Sequence, residues 1–224
     1  MFGSSGPSRS RAGFLTVYSA HPSLALLEPL SIFAMIMAYI WDLRYTHHGI
    51  WLWIVVLMAV SHLARRERAT ALGFRSANLR DCLLEFAPTL GLLALSMLGF
   101  GILLQTTRSI RFPQGAAALG AYVPWGIFQQ YILNGYFFNR FDRILSPRAA
   151  PVAAAALFSG AHLPNWFLML VTLPLGYCAA RLYRRHKNLY FLGIAHGVIG
   201  FLLFLVVPDS ISHHLTVGPG WYTH

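Results

Sequence analysis

Seven mostly apolar runs divide the chain, approximately Ser23 to Trp41, Gly49 to Ala64, Cys82 to Gln105, Ala117 to Phe138, Ala150 to Trp166, Phe167 to Tyr183 and Leu189 to Val207. A bilayer span needs about 20 such residues, and in lipid every backbone polar group has to be satisfied internally, which a helix does within one segment. The second and fifth runs are short and suit tilted, broken or partial spans. With 56% hydrophobic and 11% charged residues among 224, the length does not signal a large aqueous core. The expected fold is an all-α, polytopic transmembrane helical bundle of about seven spans. Residues 1–22 form a flexible cytoplasmic lead-in, 23–207 the membrane domain and 208–224 an external tail.

The net charge of +10 does not mark a nucleic-acid partner, because its arginines are spread over loops. With seven spans, Arg9 and Arg11, the Arg65 to Arg80 loop, Arg140, Arg143 and Arg148, and Arg181, Arg184, Arg185 and Lys187 fall on one side. Only Arg44, Arg108 and Arg111 are left for the other. The positive-inside rule then gives a cytoplasmic N-terminus in a plasma or inner membrane, with contacts to lipid headgroups. The first twenty residues lack a compact apolar stretch ending in a cleavage site, so the first span is expected to act as an uncleaved signal. The segment RRERATALGFRSANLRD is expected to lie on the inner surface as an amphipathic helix or turn. Cys82 and Cys178 lie in or beside spans and read as small apolar residues, not a disulfide.

Chemistry concentrates in three of the runs. Ala117 to Phe138 carries only Gln129, Gln130 and Asn134 as strongly polar side chains, while FSGAHLPNWF holds His162 and FLGIAHGVIG holds His196. At about 1.5 Å per residue, Gln129, His162 and His196 lie roughly 13, 18 and 10 Å from the inner ends of their spans, near the middle of a ~30 Å hydrocarbon layer. Polar groups at that depth turn toward an interior or a cavity, so one shared site is expected. Asn134, about one turn beyond the Gln pair, can share a face with one of them. Trp125, Tyr122, Tyr131 and Trp166 are candidates to line the cavity, and hydrogen bonding between helices is the plain alternative role for the amides. Glu28 falls near the inner end of the first span and is expected to reach headgroups. His47 and His48 read as an exposed loop, and the adjacent His213 and His214 point in different directions in any regular structure.

These strings resemble the CPBP family, the intramembrane proteases that include the CAAX prenyl endopeptidases. The resemblance covers roughly Arg65 to Val207. It rests on ALGFR at Ala71 to Arg75, on QQYILNG, on FSGAH ending at His162 and on AHGVIG at His196. Gly135, Phe158, His162 and His196 match the family pattern. Gln129 and Gln130 stand where it has two glutamates, Asn134 where it has an arginine and Gly200 where it has a final asparagine. The resemblance implies catalytic roles for His162, His196, Gln129, Gln130 and Asn134, substrate contacts near Phe158, and metal ligation by His162 and His196, with zinc as the divalent candidate.

A carboxamide neither accepts a proton at neutral pH nor binds zinc well, so glutamate-dependent proteolysis is not expected. Losing both acids together with the arginine leaves the site neutral as a unit, since a buried arginine alone would be uncompensated. Three functions follow. The first is action on a membrane-borne hydrophobic peptide, prenylated protein or lipid through the altered site. The second is a non-proteolytic lipid or isoprenoid enzyme using histidine acid and base chemistry. The third is an inactive binder of a lipid or transmembrane partner.

Overall fold

A computed structural model describes residues 22–223. The lead-in expected over residues 1–22 therefore falls, but for Pro22, outside the described residues, as does His224. Among the described residues all regular structure is helical. The helices are α1 (Pro22–Ala38), α2 (Ile50–Ala64), α3 (Leu79–Leu103), α4 (Phe112–Gln130), α5 (Ala149–Gly160), α6 (Trp166–His186), α7 (Leu189–Val206) and a short α8 (Asp209–Ser212). α1 continues through a π-helical turn, Tyr39–Leu43, into Arg44–Thr46, and α4 continues through a longer one, Tyr131–Phe138, into Asn139–Phe141. Seven principal helices thus replace seven apolar runs.

Four helical stretches are long and apolar enough to cross a membrane: Ala25–Thr46, α3, α6 and α7. α2 and α5 are apolar but shorter, as their runs suggested. The expected fourth span is helical throughout, yet it is not one of those four, because glycines, prolines and the Gln pair dilute its apolar character. Its later part, from Gly126 on, is interior. α4 packs chiefly along α7, and the π-helical continuation buries everything from Leu133 to Phe138.

The two ends of the bundle are closed by polar contacts. At the basic end, Asn78 Nδ2 donates to the His186 carbonyl at 2.7 Å, Asn188 Nδ2 to the Arg75 carbonyl at 2.9 Å and Arg184 Nη1 to the Pro147 carbonyl at 2.6 Å. At the opposite end, Arg44 Nη2 donates to the Val217 carbonyl at 3.0 Å and the Gly218 amide to the Leu163 carbonyl at 2.8 Å. This grouping is the alternation that consecutive antiparallel helices require.

Residues 65–78 form turns, one of the two forms expected of this segment, and not a surface helix. The reason is local: Gly73 has φ +96°, and a Cβ there would meet the Tyr183 ring at 2.7 Å. Only glycine fits such a backbone against such a neighbour. Leu72 is buried in the protein, and its carbonyl accepts from Tyr183 Oη at 2.8 Å.

Candidate functional site

The site begins with a helix contact in which backbone lies close to backbone. Gly193 and Gly197 on α7 face Gly126, Ile127 and Val123 on α4 so closely that a Cβ on Gly193 would stand 2.5 Å from the Ile127 Cα, and one on Gly197 2.7 Å from the Val123 Cα. Small residues four apart allow this backbone approach in membrane helices. One turn further along α4, the approach brings Gln130 Nε2 to 3.0 Å from His196 Nδ1. An amide nitrogen can only donate, so His196 Nδ1 is the acceptor and the ring proton sits on Nε2. Gln130 Oε1 in turn accepts from Asn134 Nδ2 at 2.6 Å, one helical turn away. Asn134 is fully buried, and its Oδ1 has no partner.

His162 follows the end of α5 in a tight turn, with Nδ1 2.7 Å from the Phe158 carbonyl. A carbonyl only accepts, so here Nδ1 carries the proton and Nε2 keeps its lone pair. The Phe158 ring lies edge-on to both imidazoles, at centroid distances of 5.0 Å to His162 and 5.9 Å to His196. The two histidines are therefore neighbours held in opposite tautomers.

Both line one cavity of roughly 1190 Å³, together with Gln129, Gln130, Phe158, Trp125 and Tyr122. Asn134 supports the site from behind Gln130. Tyr131 and Trp166 do not line the cavity. Tyr131 packs on His62 and Phe74, and Trp166, half exposed, packs on Phe167. Gly200 does line it, and a Cβ there would meet the Tyr122 ring at 3.2 Å, so an asparagine at this position would require Tyr122 to move. No carboxylate lines the cavity among the described residues. As a metal site the donor set falls short. Catalytic zinc has three protein ligands, no three His, Cys, Asp or Glu side chains gather among the described residues, and His196 turns an N–H toward the space.

The acids expected in loops or at headgroups form instead a second, buried cluster at the basic end. Glu28 accepts from Ser61 and Arg65, from Tyr136 Oη at 3.1 Å and from Arg140 Nε at 3.1 Å. Glu67 accepts from Arg140 Nη1 at 2.9 Å and from Arg143 at 2.5 Å, with His62 Nδ1 at 2.5 Å. Arg140, read from sequence as a loop residue, is 3% exposed and clamped between the two carboxylates. Burial alone would raise the Glu67 carboxyl, but the His62 hydrogen bond and the Arg140 and Arg143 charges outweigh it and hold its pKa at about 2. The signal for this cluster lay in the sequence as an arginine six residues beyond Asn134, without a hint of its distant partners.

The segment after α7 folds over the end of the bundle opposite this cluster. Asn165 caps α6 by accepting from the Leu168 amide at 3.0 Å, and its Nδ2 donates to the carbonyls of Ser212 and Thr216. Asp209 pairs with Arg108, whose hydrogen bond and charge lower its carboxyl pKa against a small burial effect. His213 stacks on Trp221, while His214 pairs with Asp209 and borders the cavity. The two histidines diverge as their adjacency demands. Cys82 and Cys178 are free thiols.

The model of the family described as type II CAAX prenyl endopeptidase Rce1-like matches residues 111–202. That stretch runs from the start of α4 into α7 and contains Gln129, Gln130, Asn134, Phe158, His162 and His196, so the CPBP resemblance is borne out there. The ALGFR string lies outside the match. No curated protein and no solved structure matched the sequence. Helices able to cross a membrane, joined to this similarity over residues 111–202, support a membrane protein.

Proposed function

We propose that this chain, similar over residues 111–202 to type II CAAX prenyl endopeptidases, hydrolyses an acyl bond in a membrane-borne hydrophobic substrate through His162 and His196, without glutamate or metal. The observation that carries the reading is the opposed tautomers in one cavity: a lone pair on His162 Nε2 and a proton on His196 Nε2.

Those two groups suffice for a balanced reaction. His162 Nε2 takes a proton from water as its oxygen bonds to the acyl carbon, and His196 Nε2–H donates to the oxygen that becomes negative. The C–N or C–O bond then breaks, and His162 returns its proton to the leaving group. Gln130 keeps His196 in the donating tautomer, and the Phe158 carbonyl keeps His162 in the accepting one. The apolar lining suits a prenyl or acyl chain.

Purified protein incubated with a quenched farnesylated peptide and with a long-chain aryl ester tests this. Turnover that survives chelation and falls by about 10²-fold or more in His162→Ala fits the base assignment. Turnover retained in both His162→Ala and His196→Ala sinks it. Among the described residues no carboxylate lines the cavity, which favours a second reading, a binding-only cavity. That reading predicts saturable binding of the prenylated peptide with no cleavage.

A further inference from the structure

The cavity that holds the two histidines is bordered by one charged side chain among its described lining residues, Arg44. Arg44 lies outside the segment matched by the family and at the end of the bundle opposite the acidic cluster. Its guanidinium is only partly satisfied. Nη2 donates to the Val217 carbonyl and to Tyr45 Oη, the group lies over the Tyr45 ring at 4.7 Å, and Nε is shielded from solvent with no partner. No carboxylate pairs with it among the described residues, although Arg108, at the same end, takes Asp209 in a two-pronged pair.

An unpaired cation beside an apolar cavity is costly, and an anion at the same place removes that cost. A guanidinium whose Nε has no partner keeps a donor for the oxygens of a carboxylate or phosphate. We propose that Arg44 reads the anionic head of an amphiphile whose chain fills the cavity. This rests on the reading of the cavity as a site for hydrophobic substrates and adds the class of head group to it. The head lies toward Val217 and His214, and the chain runs past Trp51 and Trp125 toward the histidines.

Trp51 and Trp125 line the cavity and report occupancy. The probe is stearate carrying a nitroxide near its methyl end, added to the full chain in maltoside micelles, with its methyl ester, verified intact by mass spectrometry after the titration, as the uncharged counterpart. Saturable tryptophan quenching by the acid, weakened about tenfold or more in the ester and in Arg44→Gln, is the expected result. Arg111→Gln, an exposed cation at the same end, is expected to bind like the unaltered protein. Equal binding of acid and ester overturns the proposal, as does absent quenching by both. An equal loss in Arg111→Gln overturns it too, since general surface charge would then account for the effect. Inorganic phosphate alone is expected not to displace the probe, and displacement would assign the site to a free anion. The acid and ester comparison needs no variant, so it decides the matter even if Arg44→Gln fails to fold. Because this experiment reads binding alone, head-group selectivity found here together with no turnover of the farnesylated peptide or aryl ester would discard the hydrolytic reading and leave this one standing.

Discussion

Gln130 donates from its amide nitrogen to Nδ1 of His196 at 3.0 Å, and that single bond decides which side of the imidazole carries the proton. A glutamate at the same position would accept instead and would draw the proton to Nδ1.

Gln130→Glu is therefore expected to invert the His196 tautomer and leave a lone pair on Nε2. The ¹⁵N ring shifts of histidine-labelled protein report this directly. An unchanged Nε2–H pattern in the variant would show that something other than Gln130 sets the ring.

Gly197→Ala and Gly193→Ala are expected to lower stability by about 1–3 kcal/mol, because the new methyl must push α4 away from α7. They should also lengthen the Gln130 to His196 contact and blur the tautomer signal. Gly91→Ala, with nothing within 4 Å of the added carbon, is the control. It is expected to be neutral or stabilising by up to about 1 kcal/mol. Thermal unfolding in one detergent measures all three.

The bundle was legible in the sequence, and the reason is physical. Lipid forces apolar runs and internal backbone bonding, so helix number survives even where the hydropathy of α4 is weak. The convergence of Gln130, His162 and His196 was legible for the same reason, since depth along a helix is simple arithmetic. Ring orientation was not, because it depends on the Phe158 carbonyl and on one face of an amide. Arg140 was misplaced because the helix runs on to Phe141, past the last apolar residue of its run, and because its partners Glu28 and Glu67 lie far away in sequence. The spacing of Gly193 and Gly197 was visible, and read as a helix contact it would have located the α4 and α7 seam.

The Glu67 carboxyl, held at about 2 when folded against an ordinary 4.5, stabilises the fold above the ordinary value. That contribution is lost as pH falls toward the folded value. The thermal midpoint of the full chain is expected to drop between about pH 5 and pH 3, and to drop less in Glu67→Gln. A parallel decline in both proteins would place the acid sensitivity elsewhere.

Arg140→Ala is expected to be the more damaging change at that cluster, costing about 1.5–3 kcal/mol, since it removes the cation that two carboxylates share and leaves each with one arginine. Yield of folded protein and its unfolding midpoint measure it, and near-normal stability would contradict the pairing.

Asn165→Ala removes a helix cap and two bonds to the segment after α7. A loss of about 0.5–2 kcal/mol is expected, with faster amide deuterium exchange across residues 209–218. Unchanged exchange there would mean that the segment's other contacts, Arg108 to Asp209, Arg44 to Val217 and Gly218 to Leu163, suffice to anchor it.

Two imidazoles locked in complementary protonation also dictate what kind of small molecule would block this pocket. With no third metal-ligating side chain gathered beside them among the described residues, hydroxamates and other chelating warheads are expected to bind weakly. A lactam or primary carboxamide on a lipophilic stem presents its carbonyl to one ring and its N–H to the other, and lead compounds for this chain start from that pharmacophore.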